Sequence, residues 1–88
     1  MRLLVVEDEK KLCDMIAKSL HQTGYEVDVC NDGEEALDMI YAEMYDLIVL
    51  DLNLPGVDGM EILRELRKED EETKVLILSA RSQIADKV

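Results

Sequence analysis

Four short apolar runs, separated by stretches of helical periodicity, confine this chain to one kind of architecture. Residues 2–6 contain Leu3-Leu4-Val5-Val6, residues 46–50 contain Leu47-Ile48-Val49-Leu50, and residues 75–78 read Val-Leu-Ile-Leu. Each has the length and branched content of a buried strand, too short for a helix. Residues 25–30 set Val27 and Val29 against Glu26 and Asp28, the alternation of a half-buried strand. Between the runs the period changes. Residues 9–22 place Leu12, Ile16 and Leu20 on one helical face, and Gly24 ends that helix. Asp32 is a good N-cap with Glu35 at the capping-box position, and the helix it starts turns Ala36, Leu37, Ile40, Tyr41 and Met44 inward. Asp58 caps a third helix, with Glu61 three residues on and Ile62, Leu63 and Leu66 facing the core. Asn53-Leu54-Pro55-Gly56-Val57 is a loop punctuated by Pro-Gly, residues 68–72 are a charged connection, and Ser82 is placed to cap a last helix.

Alternating strands and helices predict a parallel sheet with helices on both faces and right-handed crossovers. The more apolar first and third strands belong at the centre, and the half-polar second at an edge. The expected fold is therefore α/β: a flavodoxin-like, doubly wound parallel sheet of order 2-1-3-4, with its switch point between strands one and three. Both of those strands run into acids, Glu7-Asp8 after the first and Asp51 after the third. Open α/β sheets bind their ligands at that carboxyl edge. Carboxylates crowded there repel one another unless a cation sits among them.

Composition narrows the function classes. The 88 residues suffice for one small domain, and 48% hydrophobic with 35% charged is globular rather than disordered. A formal net charge of −11 argues against nucleic-acid binding by this segment and suits a cation. No apolar stretch is long enough to span a membrane, and Glu7 to Lys11 interrupt any signal-peptide pattern, so a cytoplasmic protein is expected. Cys13 and Cys30 are isolated and fit a reduced, partly buried pair, and His21 has no assigned role.

Mg²⁺ takes oxygen ligands in octahedral geometry and usually binds one or two protein carboxylates together with a phosphate. Glu7, Asp8 and Asp51 match that requirement by type and inferred position. A carboxylate fixed at a strand end beside a divalent cation can attack a phosphoryl group and form an acyl phosphate. Each residue also has a plainer reading. Asp8 serves equally as the N-cap of the first helix, Glu7 as a solvated loop acid, and Asp51 as a strand terminator. Ser79 reads as a strand-end hydroxyl, and Asn53 as part of its turn.

Several motifs in order resemble one family. Glu7-Asp8-Glu9 after the first strand, residues 51–59 (Asp-Leu-Asn-Leu-Pro-Gly-Val-Asp-Gly) after the third, and Ser79-Ala80-Arg81 after the fourth resemble the receiver domain of bacterial response regulators. Residues 2–9, Gly24-Tyr25 and residues 32–37 (Asp-Gly-Glu-Glu-Ala-Leu) are most similar to the OmpR/PhoB class, whose members carry a winged-helix DNA-binding domain after the receiver. The resemblance implies a CheY-like fold and a two-component phosphorelay. It makes Asp51 the phosphoacceptor, served by a sensor histidine kinase, and Glu7 and Asp8 the acidic pair for Mg²⁺. Asn53 becomes the residue whose backbone carbonyl is a further Mg²⁺ ligand. Ser79 contacts a phosphoryl oxygen and moves on activation, while Ala80 is the small residue that lets the phosphate fit.

The family pattern continues past Val88, through the fifth strand with its Lys and switch aromatic to the fifth helix. The chain is thus expected to be a partial receiver over residues 1–88, reaching DNA only through an effector domain it lacks. Its fourth strand would then be an open edge, so self-association is expected, and an inert self-associating fragment is one alternative. A haloacid-dehalogenase-type phosphohydrolase is another. That family needs a second Asp two residues after its nucleophile, where this chain has Asn53.

Overall fold

The computed structural model describes residues 1–78, so Ser79, Ala80 and the helix expected from Ser82 lie outside the described residues. In chain order the elements are β1 (Arg2–Val6), α1 (Lys10–Gln22), β2 (Glu26–Cys30), α2 (Gly33–Ala42), β3 (Leu47–Asp51), α3 (Gly59–Glu69) and β4 (Lys74–Leu78). The four strands are parallel in the order β2-β1-β3-β4. This is the order that follows from putting the most apolar strands at the centre. No helix among the described residues is long and apolar enough to cross a membrane.

Alternation along the strands divides the core into two layers. Leu4, Val6, Cys30, Ile48 and Leu50 share one face with Ala36 of α2, Ile62 and Leu66 of α3, and Tyr45. Val5 and Val49 point the other way, onto Cys13 of α1, with Ile16, Leu20 and Val27 packed around them. Leu3, Leu4, Val5 and Val6 are all fully buried, as expected of a central strand covered on both faces. Removing one such side chain from water stabilises the fold by about 2 kcal/mol.

The helix faces differ from the sequence reading in three places. Leu12 is 38% exposed, and Cys13 is the fully buried residue of α1. Because α1 lies over β1 and β2, its buried stripe runs Cys13, Ile16, Leu20, leaving Leu12 beside the strand ends. Met44 is 86% exposed because α2 stops at Ala42, two residues before it, and the C-cap Glu43 is already extended. Tyr41 faces solvent, its hydroxyl donating to Glu65, and Met39 packs on the core beside Leu37 and Ile40. Smaller departures occur at Val29, exposed on the edge strand where Val27 is covered, and at Lys68, which belongs to α3 and pairs with Glu65.

The caps of α2 and α3 follow the sequence. Asp32 accepts from the Glu35 N–H at 2.8 Å, and Asp58 accepts from the Met60 N–H at 3.1 Å. At the amino end of the sheet, Arg2 bonds Asp28 at 3.0 Å and Glu43 at 3.1 Å, while the Tyr45 hydroxyl donates to Asp28 at 2.7 Å. This polar clamp satisfies an acid on the inner face of β2 that the strand pattern treats simply as the polar half of an alternation. Both cysteines are free and fully buried, on opposite faces of the sheet.

Candidate functional site

β1 and β3 are parallel neighbours with Val6 opposite Leu50, so the residues that follow, Glu7 and Asp51, emerge side by side at the carboxyl edge. One carboxylate oxygen from each of Glu7, Asp8 and Asp51 lies within 4.8 Å of the others. Glu7 is 5% exposed and Asp51 8%, whereas Asp8 is open to solvent. The plainer readings of these acids can now be compared with geometry. Glu9, not Asp8, occupies the N-cap of α1, and it makes no side-chain cap bond. Asp8 is thus free of capping, and Glu7 is a buried acid rather than a solvated one.

Backbone amides orient the two buried carboxylates. The Glu9 N–H donates to Glu7 Oε2 at 3.0 Å, and the Asn53 N–H donates to Asp51 Oδ1 at 3.0 Å. Burial pushes the Glu7 carboxyl up from its ordinary value; the Glu9 amide opposes this, and the Asp51 charge adds to it. No described Lys or Arg forms an ion pair with any of the three acids. Unit charges this close repel by a few kcal/mol at the effective dielectric of a protein surface, roughly 20. The donor set therefore fits a small hard divalent cation by its oxygen chemistry, its charge and its spacing. The carboxylates open onto a cleft of about 470 Å³, lined also by Leu12, Asn53 and Leu78, which leaves room for water and a phosphate-sized ligand.

The loop after β3 is held by close backbone approach. A Cβ on Gly59 would lie 2.6 Å from the Leu52 Cα, and one on Gly33 would lie 2.4 Å from the Val57 carbonyl oxygen. The Gly33 N–H also donates to the Pro55 carbonyl at 3.3 Å. Gly56 takes a φ of +82°, which favours glycine. Together these contacts press residues 52–58 against the starts of α2 and α3 and fix Asn53 on the rim of the acidic cleft. The candidate residues thus divide cleanly: Glu7, Asp8, Asp51 and Asn53 come together, and Ser79 and Ala80 lie outside the described residues. Sequence reasoning missed the part played by Gly33. The Asp32-Gly33 pair reads locally as a helix start, and nothing in it signals the contact with the distant loop.

The response regulator receiver domain model matches residues 3–88. The chain belongs to that family. It is 47% identical over 88 residues to the transcriptional regulatory protein TctD of Salmonella typhimurium, and 44% identical over 88 residues to DltR of Streptococcus agalactiae. Both alignments cover all of this chain but 39% of the relative, so the chain spans about two fifths of the length of these curated relatives. Among solved structures, it superposes on the response regulator TrrA of Thermotoga maritima, crystallised with Mg²⁺ and BeF. The TM-score is 0.88 at 37% identity, over 99% of this chain and 76% of that one. TrrA has also been crystallised in complex with the histidine kinase ThkA; that match has a TM-score of 0.82 at 39% identity, covering 90% of this chain and 68% of the other. The chain therefore has the CheY-like α/β fold and is a receiver domain of two-component signalling with an acidic pocket at its switch point.

Proposed function

We propose that this receiver accepts a phosphoryl group on Asp51 from a sensor histidine kinase in a Mg²⁺-dependent transfer. The observation that carries the reading is the convergence of Glu7, Asp8 and Asp51 at one strand edge without a protein counter-charge among the described residues. Asp51 ends the buried β3, and the Asn53 amide holds one of its oxygens, leaving the other to act as nucleophile. That oxygen forms a bond to phosphorus as the bond from phosphorus to the kinase imidazole nitrogen breaks, and the electron pair leaves with the nitrogen. Glu7, Asp8 and the Asn53 carbonyl would hold Mg²⁺ beside it, with Asp51. Bound there, the ion offsets negative charge on the transferring group. Ser79 would take a phosphoryl oxygen, and Ala80 would leave room for it.

The receiver reading makes the chain a cytoplasmic switch whose only catalysis is its own phosphorylation and dephosphorylation. In a longer protein, like the transcriptional regulators it resembles, phosphorylation would control DNA binding through a separate effector domain. Phosphoramidate tests the transfer directly, because its phosphorus–nitrogen bond resembles that of phosphohistidine. With Mg²⁺, intact mass should show a single phosphoryl adduct that hydroxylamine removes, and with chelator none. Steady release of phosphate from phosphate esters would instead favour a hydrolase.

A further inference from the structure

We infer that Asn31 is a positioning residue for the acidic pair: its amide ties the end of β1 to the end of β2 and so aims Glu7 into the cleft. Asn31 Nδ2 donates to the Glu7 carbonyl at 2.8 Å, and the Glu7 N–H donates to the Cys30 carbonyl at 3.0 Å. The peptide groups on both sides of the Glu7 side chain are thus fastened to consecutive residues of one neighbouring strand end. The backbone bond continues the ladder between β1 and β2, where Val6 lies opposite Cys30. The Asn31 bond extends that tie past the last ladder residue, at the point where the chain must turn outward to bring Asp8 beside Glu7. Asn31 is partly buried, lies beside the buried Cys13 thiol, and is not itself one of the clustered acids. Groups that orient metal ligands without touching the metal typically change its affinity by 10–100-fold when removed.

The inference rests on the Mg²⁺ reading of the cluster, and two measurements on the chain separate it from that reading. Calorimetric Mg²⁺ titration compares the wild type with Asn31→Leu, which keeps the size and loses the donor. Asn31→Ala is measured alongside, so that a smaller donor-deleted variant is also in hand. Asn31→Gln restores an amide, and Tyr45→Phe removes a hydrogen bond at the opposite end of the sheet. The dissociation constant should rise about tenfold without the donor, recover in part with Gln, and stay unchanged in Tyr45→Phe. Equal affinity in all variants, or equal weakening in Tyr45→Phe, overturns the positioning role. The second readout needs no metal. The Glu9 amide donates to the Glu7 carboxylate, so its NMR shift and hydrogen exchange report where that carboxylate sits. In metal-free protein, losing the Asn31 donor should shift the Glu9 signal and speed its exchange, and an unmoved signal overturns the inference. A wild type that binds no Mg²⁺ contradicts the metal reading, while the Glu9 amide still decides the role of Asn31.

Discussion

Glu7 is held where its own charge disfavours the fold. Burial raises its pKa above the ordinary 4.5, so the folded chain binds that proton more tightly than the unfolded one. The associated stability is complete below pH 4.5 and is lost as pH rises through the raised value. In metal-free protein, Glu7→Gln should therefore differ least from wild type at acid pH and become the more stable of the two near neutrality, as read by urea unfolding across pH. Saturating Mg²⁺ should reverse that order, since the variant loses a charged ligand. Asp28 has the opposite sign. The Tyr45 hydroxyl, then Arg2, hold its pKa below 3.8, and the resulting stability is present above that value and lost as pH falls through the folded one. Tyr45→Phe should cost about 1.5 kcal/mol at pH 7, with the difference shrinking in acid. Legibility divides along the same line. Glu7, Asp8 and Asp51 were readable because an acid directly after an apolar run has a position fixed by its strand. The partners of Asp28 and Glu7 were not, because Tyr45 and Asn31 reach them across the fold from 17 and 24 residues away.

At the scale of elements, periodicity located every described strand and helix, and it misjudged helix faces where a neighbour or a helix end decided the outcome. Leu12, Tyr41 and Met44 all satisfy helical spacing, but spacing carries no information about which two strands α1 covers or that α2 ends at Ala42. The loop after β3 shows the same limit. Its Pro-Gly turn is local and readable, whereas its contact with Gly33 joins segments more than twenty residues apart. Gly33→Ala should lower stability by about 1–3 kcal/mol, the usual cost of forcing atoms into a filled space. It should also weaken Mg²⁺ binding by displacing Asn53. Gly24→Ala is the contrast, because nothing lies within 4 Å of that position and only its positive φ opposes a side chain. It should cost about 1 kcal/mol and leave Mg²⁺ affinity unchanged.

Across the whole molecule, β1 and β3 form a well-buried centre, and β4 is the most open of the described strands. Leu76 is 53% exposed and Ile77 39%, on opposite faces of β4. Among the described residues β4 pairs with β3 on one side and with no strand on the other. Open strand edges with apolar neighbours pair readily with another chain. Self-association of the 88-residue chain is expected on that basis, and sedimentation velocity should show its mass rising with concentration. Ile77→Lys should hold it monomeric.

The acidic edge, in contrast, draws on the most buried part of the molecule, and the central claim is that this edge receives a phosphoryl group on the Asp51 carboxylate. The direct measurement is mass mapping after incubation with acetyl phosphate, comparing wild type and Asp51→Asn with and without Mg²⁺. The account predicts one hydroxylamine-labile adduct in the wild type, located on Asp51, dependent on Mg²⁺ and absent from Asp51→Asn. An adduct that persists in Asp51→Asn, or a wild type that binds Mg²⁺ and still takes no phosphoryl group, would contradict it.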